Sequence, residues 1–525
     1  MLINKSLSKM EMFSDEFKQG INCIGMSCKS IGKEPPKPRL LIVNRNQMRL
    51  HPVEVEKLVS EDHEVRAIWE LVGRLDLTRY YESIEAKEGI AGRPTYDPQL
   101  LISIWIYSYS KGIGSAREIA RLCEYDPAYQ WFTGMDIINY HTLSDFRVKH
   151  REAMEGVFVE ILGVLSSEGL VTLERVMHDG TKVKANASGD TFRREERITK
   201  HLEIAKEQIK HITEITDKEM SDRVRKARER AVREKREKLE LALEELEKIR
   251  VCKSDEKEKA GARVSMTDPE ARIMKQSDGG FAPSYNVQIT TDAKEKIIIG
   301  VGVSQSGSDY GELESAEKRV EENMEKAPDK MIVDGGFISR ENILALNDKV
   351  DLIGPVEDNR AKSIAQMDRR GVDNAFRSEA FSYDSNNNSY TCPCGKILKY
   401  TEKEKRTGKT NYKYQANAND CQACCFKQKC CPKNLSKGRS IVRGEDNPKV
   451  TVFIEKMGTQ EYKTIYKQRG AVAEFPNAWI KNKIGLRQFR LQGLIKVGIE
   501  ALWACLTYNI QQWIRLCWKP KIALV

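Results

Sequence analysis

Met331-Ile-Val-Asp334-Gly-Gly336 is a short apolar run closed by an acid and two glycines. Apolar residues bounded by glycine read as a buried strand. In open α/β sheets ligands bind outside the carboxyl ends of the strands, which is where Asp334 falls. Working outward, Glu312–Glu325 reads as a helix before this strand. A second helix follows it, and Asp351-Leu-Ile-Gly-Pro355 is a further strand. Upstream, Tyr285-Asn-Val-Gln-Ile-Thr291 alternates with period two. Lys296–Val303 is its partner, with Asp292–Glu295 as the hairpin turn. Two antiparallel strands followed by alternating helices and strands predict an α/β core, a mixed sheet with helices packed on it. Val171–Met177 is a further strand-like run, predicted to end at His178-Asp179-Gly180.

The flanks read differently. From about Val53 to Arg151 the pattern is helical. Asp97-Pro98 supplies an N-cap and a first-turn proline. Leu100–Tyr109 then reads as a buried helix, Gly112 and Gly114 break it, and Ser115 caps the next, Arg117–Glu124. Tyr140–Arg147 is a turn and a further helix, with Arg147, Lys149 and Arg151 at its end. Short helices with basic ends are compatible with a helix-turn-helix DNA reader, and equally with a plain helical bundle. Residues 192–258 are highly charged. Ile198, Leu202, Ala205, Ile209 and Ile212 step by four and three, as do Leu239, Ala242, Leu246 and Ile249. That is the spacing of packed helices, and its phase slips at Thr216–Met220, so a hairpin of two helices is predicted. Pro35, Pro36 and Pro38 mark a linker before the strand-like Leu40–Val43.

Composition narrows the function classes. The 525 residues carry 87 Lys+Arg and 77 Asp+Glu, a net charge of +10. No apolar run approaches the ~18 residues of a membrane helix, and the first residues lack a secretory pattern. The expectation is an intracellular, reducing location (cytoplasmic and nucleoid-associated), in which the 13 cysteines are not a disulfide framework. Seven of those cysteines lie between Cys392 and Cys431, in a stretch to Arg443 holding 13 Lys/Arg and three acids. Such a basic patch favours polyanions, nucleic acid above all. No histidine follows His211, so chemistry in the second half runs without imidazole.

Three acids stand out. Asp179 and Asp334 each follow an apolar run and precede glycine. Glu474 lies in Ala471-Val-Ala-Glu-Phe-Pro476, where Pro476 is predicted to open a helix through Trp479 and Lys481. Converging carboxylates hold a pair of Mg²⁺ ions about 3.5–4 Å apart, which activate a hydroxyl and stabilise the leaving oxygen of a phosphodiester. Strand-end aspartates also commonly cap turns.

Several blocks taken together resemble the bacterial insertion-sequence transposases of the DDE type. They are His178-Asp-Gly-Thr-Lys-Val-Lys-Ala-Asn-Ala-Ser188, Thr267-Asp-Pro-Glu-Ala271, Gly279-Gly-Phe281 with Tyr285-Asn286, and Val333-Asp-Gly-Gly-Phe337. Tyr466, Arg469, Glu474 and Lys481 resemble the family's tyrosine-arginine-glutamate-lysine signature. Four residues separate Arg469 from Glu474, where the commonest form has three. The resemblance runs from about Arg93 to Ile514. It implies a ribonuclease H-like core with Asp179, Asp334 and Glu474 as catalytic, metal-binding acids for two Mg²⁺ (or Mn²⁺). It also implies a transposase that binds terminal inverted repeats, cuts the ends and joins them to target DNA.

Arg469 and Lys481 are candidates for phosphate contacts, Arg147 and Lys149 for DNA contacts, and Tyr466 for stacking on a base. Cys421-Gln-Ala-Cys424 is a good half-site for Zn²⁺. Cys392 and Cys430 are the favoured completion, with Cys394 as competitor. Double-stranded DNA is the expected partner, with a homodimer or larger assembly pairing two ends. The predicted partition has six parts. Residues 1–50 are an N-terminal segment, partly linker, and 51–155 a helix-turn-helix-like DNA-binding domain. Residues 165–191 and 262–380 form the core, interrupted by a helical-hairpin insertion at 192–261. Residues 381–445 are a Cys-rich, zinc-ribbon-like module, and 446–525 complete the core with the Glu474 helix. The rivals are an inactive or repurposed DNA-binding protein of the same fold, and a nuclease that cuts without joining.

Overall fold

Backbone pairing is what brings the acids together. The computed structural model describes residues 46, 48, 52–87, 94–214, 222–355, 359–433 and 436–522. By contacts the chain divides into Met1–Val53 and Glu54–Val525, and every element named below belongs to the second unit. The prolines at 35–38, the run Leu40–Val43 and the phase slip at Thr216–Met220 lie outside the described residues.

Helices come first, among them α1 (Glu64–Val72), α2 (Pro98–Ser110), α3 (Ala116–Tyr125), α4 (Pro127–Thr133), α5 (Tyr140–Lys149) and α6 (Arg151–Ser167). Their starts follow the sequence signals. The Asp97 side chain accepts from Gln99 N at 2.8 Å, with Pro98 at the first helical position. Ser115 accepts from Glu118 N at the start of α3.

The central sheet follows. Its strands are β1 (Val176–Lys184), β4 (Arg272–Lys275), β5 (Phe281–Asp292), β6 (Ile298–Ser304), β7 (Lys330–Val333) and β8 (Asp351–Ile353), in the order β4-β5-β1-β7-β8 with β6 also on β5. β1 runs antiparallel to β5 over its whole length and parallel to β7, as β7 does to β8. The sheet is therefore mixed. Helices α9 (Leu313–Met324) and α10 (Arg340–Leu346) belong to the crossovers after β6 and β7.

Between β1 and β4 lie β2 (Phe192–Arg193), α7 (Glu195–Glu214), α8 (Asp222–Val251) and β3 (Val264–Ser265). Ile198, Leu202 and Ala205 of α7 pack against Leu239, Ala242 and Leu246 of α8, at the positions the spacing selected. β2 pairs antiparallel with β3 and closes the base of this helix pair.

After β8 a second sheet runs β13-β12-β11-β10-β9, from β9 (Ser382–Asp384), β10 (Ser389–Thr391), β11 (Ile397–Arg406), β12 (Lys409–Ala416) and β13 (Ser440–Asp446). Its small core is Phe381, Leu398, Tyr414, Ala416 and Ile441. Helices α11 (Pro448–Gly458), α12 (Gln460–Lys467), α13 (Arg469–Asn482) and α14 (Leu494–Trp513) follow. α14 is buried almost throughout. Trp503 stacks on Tyr109 of α2, ring centroids 6.3 Å apart, and Asn509 bonds the backbone of Ile298 in β6. The N-terminal helices, α14 and the central sheet thus share one hydrophobic core.

Two expectations need correction. β1 does not end at Asp179 but continues to Lys184, because β5 offers it nine consecutive register partners. Pro476 does not open a helix; it lies inside α13. The good helix formers before it extend the helix back to Arg469, and an interior proline removes one main-chain hydrogen bond.

Candidate active site

The parallel pairing of β1 with β7 stops at His178 opposite Val333. The next residue on each strand is an acid, Asp179 and Asp334, so the two stand side by side where β7 leaves the sheet. Asp179 remains held by β5, opposite Ile289. Its Oδ1 accepts from Gly180 N at 3.0 Å and its Oδ2 from Asn477 Nδ2 of α13 at 3.2 Å. Asp334 is more open, and its carboxylate accepts from Gly336 N in a tight turn.

Arg469, the first residue of α13, lies across the pair. Nη1 is 3.8 Å from Asp179 Oδ1 and Nη2 is 4.0 Å from Asp334 Oδ2. Nη1 is buried without a hydrogen-bond partner. Burial pushes the Asp179 carboxyl above its ordinary range; Arg469 opposes that shift and Asp334 adds to it. This acid is poorly solvated, has a like charge beside it and has only loose compensation, so its site favours a cation.

Glu474 lies exposed on α13, little more than one turn beyond Arg469. With Asp179, Asn477, Lys481, Lys182 and Arg487 it lines an open cavity of about 660 Å³. Burial depresses Lys481, partly offset by Asp179. Among the described residues, no three His, Cys, Asp or Glu side chains already stand close enough together to hold a metal ion. Tyr466 is half-buried against the cluster of Met177, Ile332 and Ile353 beneath the acids.

The opposite face of β1 is a buried polar layer. His178 Nδ1 lies 2.8 Å from Thr290 Oγ1, and Nε2 lies 2.8 Å from Gln288 Oε1. Gln288 Nε2 in turn donates to Asp309 at 2.9 Å, and Asn286 Nδ2 donates to it at 2.7 Å. Lys182 Nζ is 3.2 Å from the same carboxylate. Burial would raise Asp309, but these donors outweigh it and hold the carboxyl low. A Cβ on Gly180 would come 2.4 Å from Asp309 Oδ1, so only glycine leaves room for the carboxylate there.

The basic residues of α5 separate. Arg147 is 6% exposed, donates to Gly114 O at 2.8 Å and sits 4.8 Å over the Trp105 ring. Its guanidinium is thus buried against the ring and the carbonyl, with Nε left without a hydrogen-bond partner. Lys149 is exposed, 3.4 Å from Asp145. Beside the second sheet, Cys392, Cys394, Cys421, Cys424, Cys430 and Cys431, on turns and short helices, line one cavity of about 30 Å³. Lys396 N donates to Cys392 Sγ at 3.3 Å and Arg439 N to Cys421 Sγ at 3.4 Å. Cys394 Sγ lies 3.9 Å from Cys424 Sγ. No spacing in the sequence marks Asn477, Lys182 or Asp309; the register of β1 brings in Lys182, the loop after β6 brings in Asp309, and the turn of α13 brings in Asn477.

Comparison with known proteins gives two family matches. A family model described as a transposase DDE domain matches residues 391–514, and one described as a transposase domain (DUF772) matches residues 53–149. Glu474 lies inside the first match; Asp179 and Asp334 lie outside both. No curated protein matches the chain. A solved structure, the cryo-EM structure of a piggyBac transposase synaptic complex with hairpin DNA, aligns over 87% of this chain and 75% of that one. The identity is 9% and the TM-score 0.29, too loose a likeness to bear on the fold.

Proposed function

The two matched domains place the chain among the insertion-sequence DDE transposases, and on that premise we propose that it binds the terminal inverted repeats of its own element, cuts at their ends and joins the freed 3′-hydroxyls to target DNA. The observation that carries this reading is the juxtaposition of Asp179 and Asp334 by the β1–β7 pairing, bracketed by a guanidinium. In this reading the sheet is a ribonuclease H-like core, and its mixed order with acids at the carboxyl edge supports that.

Asp179, Asp334 and Glu474 are the residues that would hold Mg²⁺. Their donor chemistry fits, since Mg²⁺ takes carboxylate oxygens. The buried charge of Asp179 fits too, because a cation beside it relieves the cost of burial. Bound there, the metal supplies an activated hydroxyl and charge stabilisation for in-line displacement at phosphorus. Glu474 shares a cavity wall with Asp179 and would have to approach the pair to complete the set. Arg469 partly offsets the charge of the two acids in their present arrangement and takes a phosphate oxygen once the acids are otherwise compensated. Asn477 keeps Asp179 oriented, and Lys481 and Arg487 give the cavity wall the charge that a DNA backbone needs. Helices α3 to α5, with Lys149 exposed, are the candidate reader of the terminal repeat, and the α7–α8 pair the candidate dimer contact.

The Cys-rich sheet is, in this reading, a structural zinc module. Its core is too small to hold it together unaided, and six thiols face one cavity. Cys392, Cys421, Cys424 and Cys430, all half-buried in its wall, are the ligand set, with Cys394 as competitor for the place beside Cys424. One metal equivalent per chain, lost in Cys421→Ser/Cys424→Ser, is expected; purified protein free of metal would contradict it.

The test of function is incubation of the full chain with Mg²⁺ and duplexes carrying the element's own ends. Nicks at the ends together with joined products are expected. Binding without cleavage would favour the inactive DNA-binding reading, and cleavage without joining a nuclease.

A further inference from the structure

The Cys-rich sheet has one face that neither its core nor the thiol cavity uses up. Leu398, Tyr414, Ala416 and Ile441 fill one end of it. Along the strands that apolar end gives way to tyrosines and cations. Register sets Lys403 opposite Tyr412 and Tyr412 opposite Arg443, and puts Lys405 on the same side, opposite Thr410. The rings of Tyr383 and Tyr390 of the adjoining hairpin lie tilted, 5.0 Å apart, and Tyr390 meets Tyr414 edge-on at 4.9 Å. Tyr400 flanks Tyr414 at 6.0 Å.

The cations sit among these rings. The Arg443 guanidinium lies 4.6 Å from the Tyr383 ring and 4.9 Å from the Tyr412 ring, while an ion pair with Glu445 holds it in place. Lys403 Nζ is 5.3 Å from the Tyr412 ring. Lys403 and Lys405 are exposed and have no carboxylate partner among the described residues. A core made of tyrosine would cover its rings, yet Tyr383 is 37% exposed and Tyr400 41% exposed. Exposed rings alternating with free cations are the two ingredients by which single strands are held: bases stack on the π faces and phosphates pair with the charges. A duplex offers the phosphates but keeps its base faces stacked inside.

We propose that this face, with Tyr383 and Tyr400 as stacking platforms and Lys403 and Lys405 as phosphate contacts, binds unpaired nucleotides of a DNA single strand. The inference deepens the transposase reading and rests on it, since a strand cut at a duplex end has terminal nucleotides that can unpair. The hairpin's position suits that task. Gly408 O at its tip accepts from Asn447 N, and Arg340, six residues beyond Asp334, pairs with Asp446 at 2.7 Å. The face is thereby tethered to the edge of the sheet that carries the acids.

The test measures binding of the full chain to a fluorescein-labelled oligothymidylate of about 15 nucleotides by anisotropy. Wild type is compared with Tyr383→Ala/Tyr400→Ala and with Tyr383→Phe/Tyr400→Phe, which keeps the rings. Binding of the duplex element end and metal content are measured on the same preparations as checks of folding. The alanine pair should weaken oligomer binding by about 25-fold or more, taking about fivefold per stacked base. The phenylalanine pair should stay within about threefold of wild type, and neither pair should change duplex-end binding. Oligomer binding by the alanine pair equal to wild type, with duplex-end binding intact, would overturn this inference and leave the transposase reading standing. A wild type that binds neither the oligomer nor the duplex end would overturn both. Equal losses of oligomer and duplex binding in the alanine pair would show a general DNA or folding defect and count against a single-strand platform.

Discussion

Acidification from about pH 7.5 to about pH 5 should cost this protein about 2 kcal/mol through one side chain, His178. Burial in the polar layer on one face of β1 holds its imidazole down to about 4 from an ordinary 6.5, although the Gln288 bond opposes the shift. A histidine with a depressed folded value binds its proton more readily in the unfolded chain. Stability therefore rises with pH between about 4 and 6.5 and is lost as pH falls through that window. At about pH 5 the unfolded imidazole is almost fully protonated while the folded one is still mostly neutral, which gives the figure of about 2 kcal/mol; at about pH 7.5 the term is close to zero. Other groups titrate over the same range, so the measured quantity is a difference. Urea unfolding followed by tryptophan fluorescence, at both pH values, compares wild type with His178→Asn. Wild type should lose about 2 kcal/mol more than the variant. Equal losses would mean that burial does not hold His178 neutral, and the account of its surroundings would fail.

Gly180→Ala drives a methyl group into the Asp309 carboxylate and should destabilise the chain by about 1–3 kcal/mol, read as a lower urea midpoint. Asp179→Asn should raise the thermal midpoint in metal-free buffer at neutral pH, because burial penalises the charged carboxyl. Since the folded value is raised, that penalty sets in as pH climbs from the free-carboxylate value through the folded one. The gain should therefore shrink toward acid and vanish below about pH 4. Trp503→Ala removes the ring that stacks on Tyr109 and joins the N-terminal helices to α14. It should cost about 3–5 kcal/mol, with calorimetry showing a lower and broader transition.

Much of the core was legible because its signals are local. Asp97-Pro98 and Ser115 announce their helices, and Ile198 to Leu246 mark the faces of α7 and α8. The apolar run before Asp334 is a strand because nothing in it suits another fate. The misreadings arise where tertiary partners decide. Gly180-Thr-Lys-Val-Lys184 looks like the loop after a strand, but β5 pairs with all of it. The alternation in β5 suggests one solvent-facing side, yet Ser284, Asn286, Gln288 and Thr290 are buried, since His178 and Asp309 satisfy much of that face. Arg147 resembles a surface cation at a helix end and is internal because Trp105 and Gly114 meet it. The acids could be named from motif, but their adjacency could not. It follows from the register of β1 and β7, which no spacing in the sequence encodes, and the same holds for the placing of Arg469 across the pair.

The central claim is that Asp179, Asp334 and Glu474 act as one metal-dependent centre. The most direct measurement is the single-turnover rate of end cleavage in Mg²⁺ for wild type, Asp179→Asn, Asp334→Asn and Glu474→Gln, with affinity for the end duplex measured alongside. Each variant should bind the duplex as wild type does and cleave it about a thousandfold more slowly or worse. Any one of the three cleaving within about tenfold of wild type would remove that residue from the centre and contradict the account.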